Sequence, residues 1–185
     1  MLGGLALLLL FVWQEGRAPQ PMLPLQLFRE PAFSGGVAAA LLQYATGSML
    51  TFLLPFYLQE YRGITTSHAG IVMTAQPLAM VAVAAFAGWL SDRVGTRLPA
   101  TTGMVATATG LWLIGHANGT TPFSLIMLFL GMVGLGNGLF VPPNNSSIMG
   151  SAPRNRQGVA SALLAAARNV GMVTGIALSS ALFTL

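Results

Sequence analysis

Polar side chains are scarce in this 185-residue chain, and the few that interrupt its apolar runs are the ones whose chemistry needs explaining. Gln43 and Tyr44 stand side by side in one run, Gln76 precedes Pro77 in the next, Asn137 lies in a glycine-rich run, and Arg168 is followed by Asn169 in the last. Amides, a phenol and a guanidinium recognise ligands by hydrogen bonding and charge. None of them is a nucleophile with a base at working distance in sequence, so acyl or phosphoryl transfer is not expected. There is no Cys, and His68 and His116 have no carboxylate at ligand spacing, so no metal, disulfide or cofactor is expected either. The chain reads as a binder or carrier, and not as an enzyme.

The elements that hold these residues follow from composition. Only 6% of residues are charged, against about 25% in a soluble domain, and the mean hydropathy is +0.71. Membrane lipid is therefore the first partner. The net charge of +4 does not point to nucleic acid, because the arginines are scattered among short turns and form no basic face. Five apolar runs are long enough to cross about 30 Å of hydrocarbon as helices, at residues 32–58, 68–90, 98–116, 122–141 and 158–185. The expected fold is all-α, a polytopic membrane helix bundle. Residues 1–13 are apolar but too short to span, and they lack both the basic start and the small-residue cleavage site of a signal peptide. They read as the tail of a truncated transmembrane helix, followed by a Pro-rich linker at 14–31.

Alternating spans divide the connections into two sets, and the arginine count orients them. Arg17, Arg29, Arg93, Arg97, Arg154 and Arg156 fall in one set, Arg62 alone in the other. The positive-inside rule then puts segments 14–31, 91–97 and 144–157 in the cytoplasm of a multi-pass protein of the plasma (inner) membrane. His68 and His116 fall at outer span ends, where interfacial caps are expected.

The stretch GWLSDRVGTR at 88–97 concentrates three charges between two apolar runs. A tight cytoplasmic turn accounts for much of it: Gly for positive backbone angles, Asp or Ser to cap, Arg to hold topology. The order is more particular. Gly88, Leu90, Ser91, Asp92, Arg93, Gly95 and Arg97 resemble the loop that major facilitator superfamily transporters carry between the second and third helices of each six-helix half. The resemblance covers nearly the whole chain and is closest to the fourteen-span drug/proton antiporter branch. PQPMLPLQLFREPAF at 19–33 is similar to the segment before the C-terminal half, GLGNGLFVPPNNSSIM at 134–149 to the end of its fourth helix, and GVASALLAAARNVGMVTGIAL at 158–178 to its fifth. One departure is Thr96, where the family commonly has a basic residue.

The resemblance implies that residues 32–185 form helices one to five of a six-helix C-terminal half. The partners it implies are the missing N-terminal half, the final helix and a small-molecule substrate. It implies proton-coupled efflux of drug-like or amphipathic molecules by alternating access. It also makes the 88–97 turn a conformational latch, with Asp92 on a helix of the opposite half. Turn and latch both remain open readings at this stage.

For Gln43, Tyr44, Gln76 and Asn137, substrate cavity and interhelical hydrogen bond are both open. Arg168 either faces the cavity or snorkels to headgroups. Gly131, Gly134 and Gly138, and Gly171 and Gly175, are expected at close helix contacts, with the run of 122–141 ending at the pair Pro142 and Pro143. The alternative function is a free-standing small membrane protein that regulates or scaffolds a partner complex.

Overall fold

Prolines and glycines set the shape of the bundle more than its leucines do. The computed structural model describes residues 25–183, so the helix tail expected at 1–13 and most of the linker at 14–31 lie outside the described residues. Among those described, every regular element is helical. A short 3-10 helix, Leu25–Arg29, precedes α1, Pro31–Phe56, which starts with proline at its first turn, where no ladder N–H is needed. Pro55 disrupts the ladder near the other end, and the chain continues as a π-helical segment, Tyr57–Tyr61. The span thus carries Glu60 near its end.

The second span is broken. α2 (Thr66–Met73) and α3 (Ala75–Val94) are separated at Thr74, because the ring of Pro77 would collide with the carbonyl of Met73 four residues earlier. Thr74 covers the gap, its hydroxyl donating to the Ile71 carbonyl at 2.6 Å. α4 is Arg97–Gly115, α5 is Phe123–Ser151, and α6 is Gln157–Phe183 after a 3-10 turn at Arg154–Arg156. The expectation that α5 ends at Pro142 and Pro143 is corrected: both prolines lie inside the helix, and the expected loop at 144–157 is helical to Ser151. Tertiary contact outweighs the two lost ladder bonds. Pro143, Asn144 and Ile148 are buried, and Asn144 Nδ2 donates to the Gly36 carbonyl of α1 at 3.1 Å.

Among the described residues, four stretches are long and apolar enough to cross a membrane: Pro31–Tyr61, Thr66–Val94, Phe123–Ser151 and Arg154–Leu182. α4 does not join them, since Thr101, Thr102, Thr107 and Thr109 lower its hydropathy. It nevertheless runs alongside α5 for most of its length, about 28 Å at 1.5 Å per residue. Glycine contacts give the directions. An added Cβ at Gly103 would sit 2.8 Å from Phe140 N, and at Gly110 3.0 Å from Phe129 O, so α4 and α5 are antiparallel. At Gly134 and Gly138 it would meet the carbonyls of Gln76 and Met80, and at Gly171 and Gly175 those of Leu41 and Ala45. α3 is therefore parallel to α5, and α1 to α6. Directions alternate from one long helix to the next among the described residues.

Gly131 departs from its expected stripe, since a Cβ there would touch nothing within 4 Å. The contact face of α5 is carried instead by Gly134, Gly136 and Gly138, with two partner helices pressed on it from different sides. Two apolar clusters close the ends of the bundle. One gathers Leu50, Leu54, Leu58, Val72, Ile126 and Leu130; the other gathers Leu27, Phe33, Ala40, Ile148, Ala160 and Leu164. Between them, at mid-height on α1 and α5, lie Gln43 and Asn137.

Candidate functional site

A buried amide in an apolar bundle loses its water hydrogen bonds and must recover them from protein. Gln43 and Asn137 do so on each other: Gln43 Nε2 donates to Asn137 Oδ1, and Thr107 of α4 donates its hydroxyl to the same oxygen at 3.2 Å. Both amide residues are under a tenth exposed. Sequence reasoning passed over Thr107 because a helical threonine usually satisfies its hydroxyl on its own backbone.

Gln43 and Asn137 also line a cleft of ≈ 540 Å³ between the helices. Tyr44, Ser48, Thr51 and Phe52 come from α1, Gln76 and Met80 from α3, Val141 from α5, and Met172 and Ile176 from α6. No lining residue belongs to α4, which packs behind α5. Local structure explains the convergence. The break at Thr74 swings the start of α3 against α5, where Gly134 allows the Gln76 carbonyl to approach closer than any side chain would permit. Gly175 gives the same room to Ala45 and Ser48, and the Ser48 hydroxyl donates to the Met172 carbonyl at 3.0 Å. Four of the predicted polar residues, Gln43, Tyr44, Gln76 and Asn137, are thus brought together.

Arg168 is placed differently. It is exposed and does not line the cleft, but its guanidinium lies 4.8 Å from the centre of the Tyr44 ring, which does. Met172 and Ile176 follow it at helical spacing on the same face of α6. The buried face of α6 is the neighbouring one, with Ala160, Leu164, Ala167, Gly171, Gly175 and Ser179. Arg168 therefore stands at the rim, a cation–π partner of the cleft wall.

The charged turn lies at the end of the bundle that also holds the start of α1. Asp92 and Arg93 sit in the last turn of α3, which closes at Gly95 with φ +85, a backbone angle that favours glycine. The Gly95 N–H donates to the Ser91 carbonyl at 3.0 Å. Arg93 stacks on Trp89 at 4.2 Å, and Arg97 begins α4. Gly88 has open space around it, Leu90 is half-buried, and Asp92 is exposed without a hydrogen-bond partner among the described residues.

At the opposite end is a cluster with no sequence signal beyond a lone arginine in a turn. Arg62 Nη1 donates to the carbonyls of Asn118 (3.1 Å) and Thr121 (2.8 Å) and to Tyr57 Oη, with its guanidinium 4.5 Å from the Phe123 ring. It ties the connection after α1 to the one before α5. His68 and His116 cap locally, His68 with Thr65 and His116 on the Trp112 carbonyl. No group of His and acidic residues among those described could hold a metal ion.

The sequence matches a family model described as Major Facilitator Superfamily over residues 36–185. It is 34% identical to the riboflavin transporter RibZ of Clostridioides difficile over 97% of this chain and 39% of that protein. It is 30% identical to the multidrug resistance protein Stp of Mycobacterium tuberculosis, over 91% of this chain and 31% of that protein. It is 29% identical to a tetracenomycin C resistance and export protein of Streptomyces glaucescens, over 90% of this chain and 31% of that protein. The chain thus spans about a third of the length of these curated relatives.

Proposed function

Since this chain belongs to the Major Facilitator Superfamily, a family of membrane transporters, we propose that it supplies most of one six-helix half of a proton-driven exporter of drug-like, amphipathic molecules. The cleft between α1, α3, α5 and α6 is this half's share of the substrate cavity. One observation carries the reading: polar side chains far apart in sequence converge on a single apolar-walled cleft, while α4 is kept out of it. Isolated interhelical hydrogen bonds would not require that convergence. The names of the resistance and export relatives favour efflux.

Rocking of two halves about a midplane cavity gives alternating access. Asp92 is exposed at a helix end, free to meet the positively polarised N-terminus of a helix in the opposite half. The proton carrier is assigned to that other half, because the carboxylates described here, Glu30, Glu60 and Asp92, all sit at span ends. The arginine-rich connections face the cytoplasm at the inner membrane.

Uptake of a fluorescent drug into everted vesicles from cells expressing the chain within its complete transporter tests this. Uptake should follow an imposed proton gradient, collapse with a protonophore, and fall about tenfold in Asn137→Ala and in Asp92→Asn at equal expression. Gradient-independent uptake, or full activity in Asn137→Ala, would refute the reading.

A further inference from the structure

Three threonines of α4 behave as helical threonines usually do. Thr101, Thr102 and Thr109 donate their hydroxyls to the carbonyls four residues earlier, at 2.8, 3.0 and 2.8 Å. Thr107 instead reaches across to Asn137 Oδ1. The reach depends on Gly136, where a Cβ would sit 2.3 Å from Thr107 Oγ1. Asn137 Oδ1 therefore has both lone pairs occupied, one by Thr107 and one by Gln43 Nε2.

What the pair retains is the amide nitrogen of Asn137 and the carbonyl oxygen of Gln43. No buried side-chain nitrogen or oxygen lacks a partner among the described residues, so these two atoms open on the cleft that both residues line. Reversing both amides would exchange the two roles and still leave one donor and one acceptor. The lining holds no charged residue, and its walls are the aromatic and thioether side chains of Tyr44, Phe52, Met80 and Met172.

We infer that Thr107 is a positioning residue that holds Gln43 and Asn137 as a paired donor and acceptor, and that this pair reads a lactam or imide edge on a neutral planar substrate. The inference rests on the cavity reading above and narrows its substrate class. A ligand edge with one N–H beside one C=O satisfies both atoms at once. A ligand whose nitrogen is methylated leaves the Gln43 oxygen unpaired, which costs more than the missing bond alone.

The test is equilibrium binding of naphthalimide and N-methylnaphthalimide, followed by their fluorescence, to the complete transporter that contains this chain, in phosphatidylcholine nanodiscs. The wild-type chain should bind naphthalimide about tenfold tighter than its methyl derivative. Thr107→Val should bring the two within about twofold, chiefly by weakening naphthalimide, and Thr107→Ser should restore the preference. Should Thr107→Val lose all binding through misfolding, Gln43→Met gives the second reading, because it keeps the length of the side chain and removes the amide acceptor; the preference should vanish there too. Tyr44→Ala should weaken both compounds alike. Equal binding of both compounds by the wild-type protein, or a preference that survives in Thr107→Val or Gln43→Met, overturns the edge recognition and leaves the cavity standing. Binding of neither compound overturns the inference together with the cavity reading beneath it.

Discussion

The cleft floor and the outer face of α4 carry the same kinds of polar atoms but satisfy them in opposite ways. On α4 the hydroxyls of Thr101, Thr102 and Thr109 turn inward to their own helix, and the neighbours they leave at the surface are Leu98, Val105 and Trp112, each more than 60% exposed. In the cleft, Gln43 and Asn137 bond to each other and to Thr107 behind them, joining three helices, and Ser48 reaches from α1 to α6. A group facing lipid has to be self-sufficient, because no water is there to complete it. A group facing a cavity can depend on neighbours and still present an unpaired atom to a ligand. Which partner a polar group finds is therefore a better sign of a cavity than how polar the helix is.

Substitutions can break this contrast in graded steps. Gly136→Leu should have the largest effect, because its side chain would collide with Thr107 and with the Gly103 carbonyl; with no room to relax against backbone, the loss should exceed about 3 kcal/mol. Size-exclusion profiles in detergent should show no monodisperse protein. Asn137→Leu should follow at about 2 kcal/mol, since it strands Gln43 and Thr107 in a buried layer; thermal unfolding in detergent reads it. Arg62→Ala removes the tie between two connections and should lower stability by about 1 kcal/mol, leaving ligand binding in the cleft unchanged. Thr109→Val should be the smallest, within about 0.5 kcal/mol, because its hydroxyl serves only its own helix. An effect of Thr109→Val as large as that of Asn137→Leu would erase the contrast.

Much of this arrangement was legible in the residues alone. Long apolar runs mark helices strongly, and an amide inside one is costly enough that Gln43, Gln76 and Asn137 stood out before any coordinates. Gly134, Gly138, Gly171 and Gly175 could be read the same way, because in lipid small residues are what let backbones meet. The errors have one source: local rules judged without their tertiary partners. Pro142 and Pro143 read as a helix end, yet α5 continues because Asn144 and Ile148 are held against α1. Gly131 matched the spacing of the stripe, but α3 approaches only from Gly134 onward. Thr107 was indistinguishable from its neighbours in sequence, since only Gly136 across the interface frees its hydroxyl. Arg62 gave no sign of its role because its acceptors are backbone carbonyls some 56 to 59 positions away.

The chain contains no cysteine, so single cysteines can be introduced without background. The most direct test of a water-filled transport cavity is to label Thr51→Cys and Val105→Cys with a membrane-impermeant maleimide in intact membranes. Both side chains are exposed, but Thr51 lines the cleft and Val105 lies on the back of α4. The cavity account predicts rapid labelling at position 51 and none at position 105. Labelling at 105 with protection at 51, or protection of both, would contradict it.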